Sequence, residues 1–479
     1  MGKKTNKSKN KKSQSAKQMS PTERARRPET VKSTKENQQK TWQVVARLVI
    51  VGLLVFALGG SLFFGIISSA YSLPLGVSNA LEGDRIDGKP AEDYLAQTND
   101  FPLVEAPMAA LCTKDGRVLF ERGIDEQVTM ASTTKMMTAI VALENMELDT
   151  LIKVTLGAAN TDGTDSGLEE GMSISLHDCL YALLLPSGND AAVAIAENLS
   201  GLESRFVELM NAKAEELGMT STHFVDASGL SVEEHFTTVR DYLVLTRYCM
   251  SNLTFREIVA TSYHMVNAGG IVLELNTTDQ LGLYLTDAEA IGVKTGYTDE
   301  AGYCFVGAAV LSGTELYSVV FNAPTGEQRF ADTANMLEWG FRHYRTIELI
   351  NTSQQVADVA LLSWIDKTVP AYASSTVRTE IFDLNGTISQ EITIDDIDGE
   401  ASKGEVCGSI IWSQGGEVLM TSDVVATETV LAPDFWEGVG VGWERFWGGF
   451  SGSPANAETS ILLKSELNIP ASPTERRAA

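Results

Sequence analysis

Apolar positions along this chain change their period several times, and each change marks a different kind of element. Between Leu48 and Ala70 there is no period at all: LVIVGLLVFALGGSLFFGIISSA is 23 residues without a charge. As a helix that run is about 34 Å long, enough to cross a hydrocarbon core of about 30 Å, and a transmembrane helix is predicted there. Further on, PMAALCT and RVLFER flank Lys114-Asp115-Gly116, which reads as a β-hairpin with Asp-Gly supplying the positive φ of its turn. Residues 130–265 turn mostly helical. STTKMMTAIVALEN reads as a helix apolar nearly all round, MELDTLIKV through GMSISLHDCLYALLL leads to a turn at Ser187, and DAAVAIAENL, RFVELMNAKAEELG and VRDYLVLTRYCM carry a 3.6-type period. Strands return in AIGVKTG, GYCFVGAAVL and ELYSVVFNA, whose short turns make them antiparallel neighbours. A helix from about Phe330 to Tyr344 follows.

Strands at both ends of a helical insertion make one discontinuous α+β domain over residues 106–345. Residues 350–433 are short alternating runs split by Gly, Asp and Asn, and read as a small all-β domain. In residues 434–450, Trp436, Val439, Trp443, Phe446, Trp447 and Phe450 recur at three- and four-residue spacing. They would line one face of a helix suited to a membrane interface or to packing on the β-rich domain. Residues 1–47 and 451–479 read as disordered tails, and 71–105 as a linker.

Charge sharpens the membrane reading. The net charge is −26, yet residues 1–47 hold 14 Lys/Arg against three Glu, a local +11. The remainder carries −37, the difference between −26 and +11. A basic tail before an apolar run, with acidic residues after it, puts the tail in the cytoplasm and the rest outside. No aromatic or zinc-finger pattern accompanies the basic residues, so nucleic acid is not implied. Both the tail and the apolar run are too long for a signal peptide cleaved after Ala70, which favours an uncleaved single-pass anchor. Five cysteines without C-x-x-C and five histidines without ligand spacing imply buried free thiols and no metal or other cofactor.

Three short motifs carry the chemistry: Ser132-Thr133-Thr134-Lys135, Ser187-Gly188-Asn189 and Lys294-Thr295-Gly296. A serine hydroxyl needs an adjacent base to become a nucleophile. Lys135 lies three residues on, on the same helix face, and burial would lower its pKa toward that of a useful base. The plainer reading is a capped core helix with a snorkelling lysine. Ser187 would relay a proton to the leaving group and Asn189 would orient the substrate backbone, unless the three residues are an ordinary turn. Lys294, as an exposed cation at a strand end, and the Thr295 hydroxyl would bind a terminal carboxylate. Gly296 would leave room for substrate along the strand. The backbone N–H groups of Tyr297 and Ser132 would form an oxyanion hole.

S-x-x-K, S-x-N and K-T-G in this order are the motifs of penicillin-recognising serine enzymes. Residues 106 to about 433 resemble the low-molecular-mass penicillin-binding proteins that act as D-alanyl-D-alanine carboxypeptidases. The resemblance includes Ala131, Asn189-Asp190-Ala191, Thr222-His223-Phe224 to Gly229-Leu230, Gly292-Val293-Lys294-Thr295-Gly296-Tyr297-Thr298, Ala301-Gly302-Tyr303, and Lys403-Gly404-Glu405-Val406-Cys407-Gly408. It implies a transpeptidase-like (β-lactamase-like) fold, an antiparallel sheet with helices on both faces plus a helical subdomain, followed by the small all-β domain. It makes Ser132 the acyl-ester nucleophile, Lys135 the proton acceptor, Ser187 a catalytic partner and Lys294 a substrate contact. The implied partners are peptidoglycan stem peptides ending in D-Ala-D-Ala, β-lactams and the membrane. Two features depart from the family: Asn276-Thr277-Thr278 stands where many members have N-T-N or N-R-N, and the strong span is N-terminal where the usual anchor is C-terminal.

A β-lactamase would need a glutamate activating the deacylating water, and LGMTSTHFVDASGL offers no E-x-x-L-N in the matching neighbourhood. A penicilloyl-enzyme is therefore expected to persist. A DD-endopeptidase of the same fold and a non-catalytic wall-binding protein with a relic site are the other readings.

Overall fold

The computed structural model describes residues 80–467 apart from 96–99, 269 and 452–455. Its first strands are β1 (Arg85–Ile86) and β2 (Lys89–Pro90), followed by helix α1 (Ala91–Leu95), β3 (Met108–Thr113) and β4 (Val118–Arg122). A 3-10 turn, Ala131–Thr134, runs directly into α2 (Lys135–Asn145). Next come β5 (Leu151–Lys153), α3 (Leu156–Ala159), β6 (Ser173–Ser175), α4 (Leu176–Leu184), α5 (Asn189–Ser200), α6 (Glu203–Glu216), α7 (Val239–Ser251) and α8 (Leu253–Val259). The hairpin β7 (Tyr263–Ala268) and β8 (Ile271–Asn276) leads to β9 (Glu289–Thr298), β10 (Gly302–Leu311), β11 (Thr314–Ala323) and α9 (Gly326–His343).

The main sheet is antiparallel in the order β2-β1-β4-β3-β11-β10-β9. Its central strands are apolar on both faces because both are covered. Val306, Ala308, Val319 and Phe321 face a core shared with Met136, Ile140, Leu180 and Tyr242 of the helical insertion. Phe305, Ala309, Leu316 and Val320 face a second core with Leu337 and Trp339 of α9. α2 is apolar nearly all round and sits inside the first core, so residues 135–142 are all buried.

Three expectations are corrected. The described part of the linker at 71–105 belongs to the domain: β1 pairs with β4, and Ile86, Ala91, Tyr94, Phe101 and Val104 are buried in the second core. Buried Arg122 holds Asp84 in a two-point ion pair at 2.8 and 2.6 Å. Those apolar residues are sparse and aperiodic, and their partners lie some thirty residues on. Within the helical insertion, LIK and SIS form the pair β5–β6, and the helix begins only at Leu176, where the Ser175 hydroxyl accepts from Asp178 N. The tail from Ser451 is likewise ordered in part, as the β-rich domain shows.

That domain opens with β12 (Tyr344–Ile350), which pairs with β15 (Val377–Phe382). A second seven-stranded sheet is built from β13 (Gln355–Ala360), β14 (Thr368–Ala373), β16 (Ile388–Ile394), β17 (Val406–Gln414) and β18 (Glu417–Ala426). Two short strands from the expected tail, β19 (Ser460–Ile461) and β20 (Glu466–Leu467), close its outer edges against β13 and β16. Two-residue strands have no period to read. Between them and β18 lies α10 (Phe435–Ser451). At about 100° per residue its seven large apolar side chains fall within an arc of about 120°. They are exposed, from 53% at Val439 to 77% at Trp436. The opposite side is pinned: Val441 packs on the third core, and Arg445 donates to the carbonyls of Leu362 and Trp364. The apolar run at 48–70 lies outside the described residues, among which no helix is long and apolar enough to cross a membrane.

Candidate active site

The nucleophile turn is built against steric preference. Ala131 has φ 46°, and Thr133 N and Oγ1 both donate to Met130 O, at 3.2 and 2.6 Å. Lys135, the first residue of α2, is fully buried. Its Nζ donates to Ser132 Oγ at 2.8 Å, Asn189 Oδ1 at 2.6 Å and Ser228 O at 2.8 Å. Burial pushes its pKa down to about 7, against the pull of Asp226 and Asp190. Two of the three partners are pure acceptors, so the neutral amine must keep its two N–H bonds on them. Its lone pair is left facing the Ser132 hydroxyl. A general base beside a nucleophile would need such an arrangement.

Ser187 stands at φ 69°, and its buried Oγ has no hydrogen-bond partner among the described residues. Gly188 fits where an added Cβ would lie 2.4 Å from Asp190 Oδ1 and 2.6 Å from Ser166 Cβ. Asn189 donates its N to Thr164 O and its Nδ2 to Asp162 O, both at 2.7 Å, which turns Oδ1 onto Lys135. Both ends of the amide are thus used within the protein. Asn189 holds the lysine in place and keeps one Nδ2 hydrogen for the substrate backbone expected of it.

The third motif lies on β9, the terminal strand of the main sheet, whose outer edge pairs with no strand among the described residues. Lys294 is only 1% exposed, which corrects the expected exposed cation. Its Nζ donates to Thr295 O at 3.0 Å. Burial, with Lys135 and Arg329 adding repulsion, holds its pKa well below the ordinary lysine value, and an arriving carboxylate would reverse that. The Thr295 hydroxyl is bonded to that of Thr278 at 2.6 Å. At Gly296 an added Cβ would come within 3.1 Å of Met130 O, Ser132 N and Thr133 N. This glycine therefore lets the strand abut the nucleophile turn, and the Ser132 amide faces that strand. Tyr297 packs its half-exposed ring on Tyr303, centroids 4.4 Å apart, and its hydroxyl donates to Asp299.

Several participants carry no motif. Ser228 contributes only a carbonyl, which no side-chain pattern announces. Its loop is held by Asp226, which accepts from the amides of Ser228, Gly229 and Ser231. Burial raises the Asp226 pKa, but these bonds prevail and hold it at about 2. Asp-x-Ser-Gly is a recognisable turn signal for that loop. Arg329, near the start of α9, donates to Gly296 O at 3.0 Å and adds a second cation behind the strand.

The profile of the D-alanyl-D-alanine carboxypeptidase family matches residues 96–325. The chain is similar to D-alanyl-D-alanine carboxypeptidase DacF of Bacillus subtilis, with 31% identity over 342 residues covering 69% of this chain and 87% of the relative. It is also similar to a D-alanyl-D-alanine endopeptidase of Pseudomonas aeruginosa, 32% identical over 233 residues, 47% of this chain and 73% of the relative. The crystal structure of D-alanyl-D-alanine carboxypeptidase DacD from Francisella tularensis shares the fold, with TM-score 0.52 and 23% identity over 70% of this chain and 95% of that one.

Proposed function

The chain belongs to the D-alanyl-D-alanine carboxypeptidase family of serine peptidases, and from that membership we propose that it trims the terminal D-alanine from peptidoglycan stem peptides through an acyl-enzyme on Ser132. The observation that carries this reading is the buried Lys135, whose Nζ lies within hydrogen-bond distance of Ser132 Oγ, Asn189 Oδ1 and Ser228 O, so that the neutral amine held by the last two turns its lone pair to Ser132. Ser132 Oγ attacks the carbonyl of the penultimate D-alanine while its proton passes to Lys135 Nζ. Charge on the carbonyl oxygen is met by the N–H groups of Ser132 and Tyr297. The C–N bond then breaks, and the departing D-alanine amine takes a proton relayed through Ser187 Oγ. Water hydrolyses the ester and regenerates Ser132. The leaving D-alanine carboxylate is held by Lys294 and the Thr295 hydroxyl, with Arg329 behind them. An extended peptide can lie along the open edge of β9.

Two membrane contacts are part of the proposal. The 48–70 run supplies a single-pass anchor with its basic tail in the cytoplasm, placing the enzyme outside. The exposed aromatic arc of α10 lies in the bilayer interface. The arc's exposure supports this over packing on the β-rich domain. Likeness to an endopeptidase keeps cleavage of cross-linked peptides as the second reading.

The test is fluorescent-penicillin labelling of the wild type and Ser132→Ala, with D-alanine release from a pentapeptide and from a cross-linked dimer. A stable adduct at Ser132 and release from the pentapeptide are expected. Labelling of Ser132→Ala would sink the nucleophile assignment, and adduct loss within seconds would move the reading to a β-lactamase. Release from the dimer alone would make it an endopeptidase.

A further inference from the structure

His235 is fully buried and lies outside all three motifs. Its Nδ1 accepts from Val225 N at 3.1 Å, so the ring proton of the neutral form is on Nε2. Burial, with His223 adding to it and Asp226 opposing, lowers its pKa to about 4 and keeps it neutral. Nε2 then donates to Thr134 Oγ1 at 2.8 Å, and Thr134 Oγ1 donates to Ala131 O at 2.8 Å. Every link in this relay has one direction. It ends on the carbonyl of Ala131, whose φ of 46° is a conformation that residues with side chains avoid. Gly229 presses on the same pair, where an added Cβ would lie 1.9 Å from Ala131 O and 2.7 Å from Thr134 Oγ1.

We propose that His235 is a positioning residue for acyl transfer: through Thr134 it holds Ala131 in the left-handed turn that presents Ser132 to the substrate. The proposal rests on Ser132 being the nucleophile. A histidine that merely fills a polar site in the core would affect stability and leave the acylation rate of folded molecules alone.

The experiment measures the second-order rate of acylation by fluorescent penicillin, normalised to the amount of protein that is finally acylated. His235→Leu removes the donor and should slow acylation about tenfold or more, equivalent to about 1.4 kcal/mol. His235→Gln should recover to within about threefold of wild type, because its amide offers an acceptor and a donor in place of the two ring nitrogens. Thr134→Val should repeat the loss and Thr134→Ser should not; this pair decides the matter if His235→Leu does not fold. Wild-type rates in His235→Leu or Thr134→Val overturn the proposal, as does a loss in His235→Leu that His235→Gln shares in full. Labelling of Ser132→Ala would instead overturn the nucleophile assignment.

Discussion

Replacing Asn189 by alanine takes one acceptor from Lys135 and leaves the other two. The lysine titrates at about 7 because it is buried, and its ammonium form is held by all three bonds. An ammonium cannot accept the Ser132 proton, so acylation falls about tenfold per pH unit below that midpoint. At pH 5 about 1% of the lysine is free amine. A hydrogen bond to a charged group is worth about 1.5–3 kcal/mol and one to a neutral group about 1. Losing the Asn189 Oδ1 acceptor therefore costs the ammonium about 0.5–2 kcal/mol more than the amine, which lowers the midpoint by about one unit, to near 6. The high-pH plateau should also drop, by about tenfold, because with one fixed acceptor the lone pair is no longer aimed at Ser132. Asn189→Asp is the opposite perturbation: a carboxylate in the same place favours the ammonium and should lift the midpoint by about one unit or more. Stopped-flow labelling between pH 5 and 9 gives both quantities. If the two variants shift the limb in the same direction, or neither shifts it, Lys135 is not the group that titrates in acylation.

Lys294→Ala should cut kcat/KM for acyl-D-Ala-D-Ala about hundredfold and spare the matching methyl ester, since the lost contact is charge-assisted and made to the carboxylate. The melting temperature should hold or rise, because folding must bury this cation; equal losses on acid and ester would refute its role. A chain lacking residues 1–70 should still sediment with lipid vesicles, and changing Trp443, Phe446 and Trp447 to serine should weaken that binding at least about hundredfold, each aromatic being worth about 1.5–3 kcal/mol on burial. Full solubility of the chain with its arc intact would leave the N-terminal run as the sole anchor.

Much of the site was legible because each motif is local. Ser132 in the 3-10 turn and Lys135 at the head of α2 are only three residues apart, and K-T-G lies within a strand whose apolar run is evident. Their joint consequences were not legible. Asn189 turns to the lysine because Asp162 O and Thr164 O hold its other groups, contacts that reach back some 25 residues. Lys294 reads as a strand-end cation, yet the packing of β9 on the nucleophile turn buries it. Ser228 acts through its main chain alone. In the fold, the long strands declared themselves by continuous apolar runs, and the helices with clear 3.6 periods were found where expected. β1, β2, β19 and β20 are two residues each; β1, β19 and β20 become strands through partners far along the chain, and β2 only by turning back onto β1.

The closing of the second sheet by β19 and β20 alters what α10 is mechanically. The chain leaves the sheet at Ala426, passes through the helix and rejoins the same sheet at Ser460. A terminal amphipathic helix is usually a leash, free to swivel at its single attachment. This one is a bracket fixed at both ends and pinned in the middle by Arg445. With its aromatic arc seated in a bilayer, the bracket sets the height and tilt of the β-rich domain. Through the contact of Trp339 with Phe382 and the bond between His343 and Asp383, it sets those of the peptidase domain as well. If the arc seats in a bilayer as proposed, such an enzyme would work the wall at one stand-off from the membrane and would select stem peptides by their depth as well as by their ends.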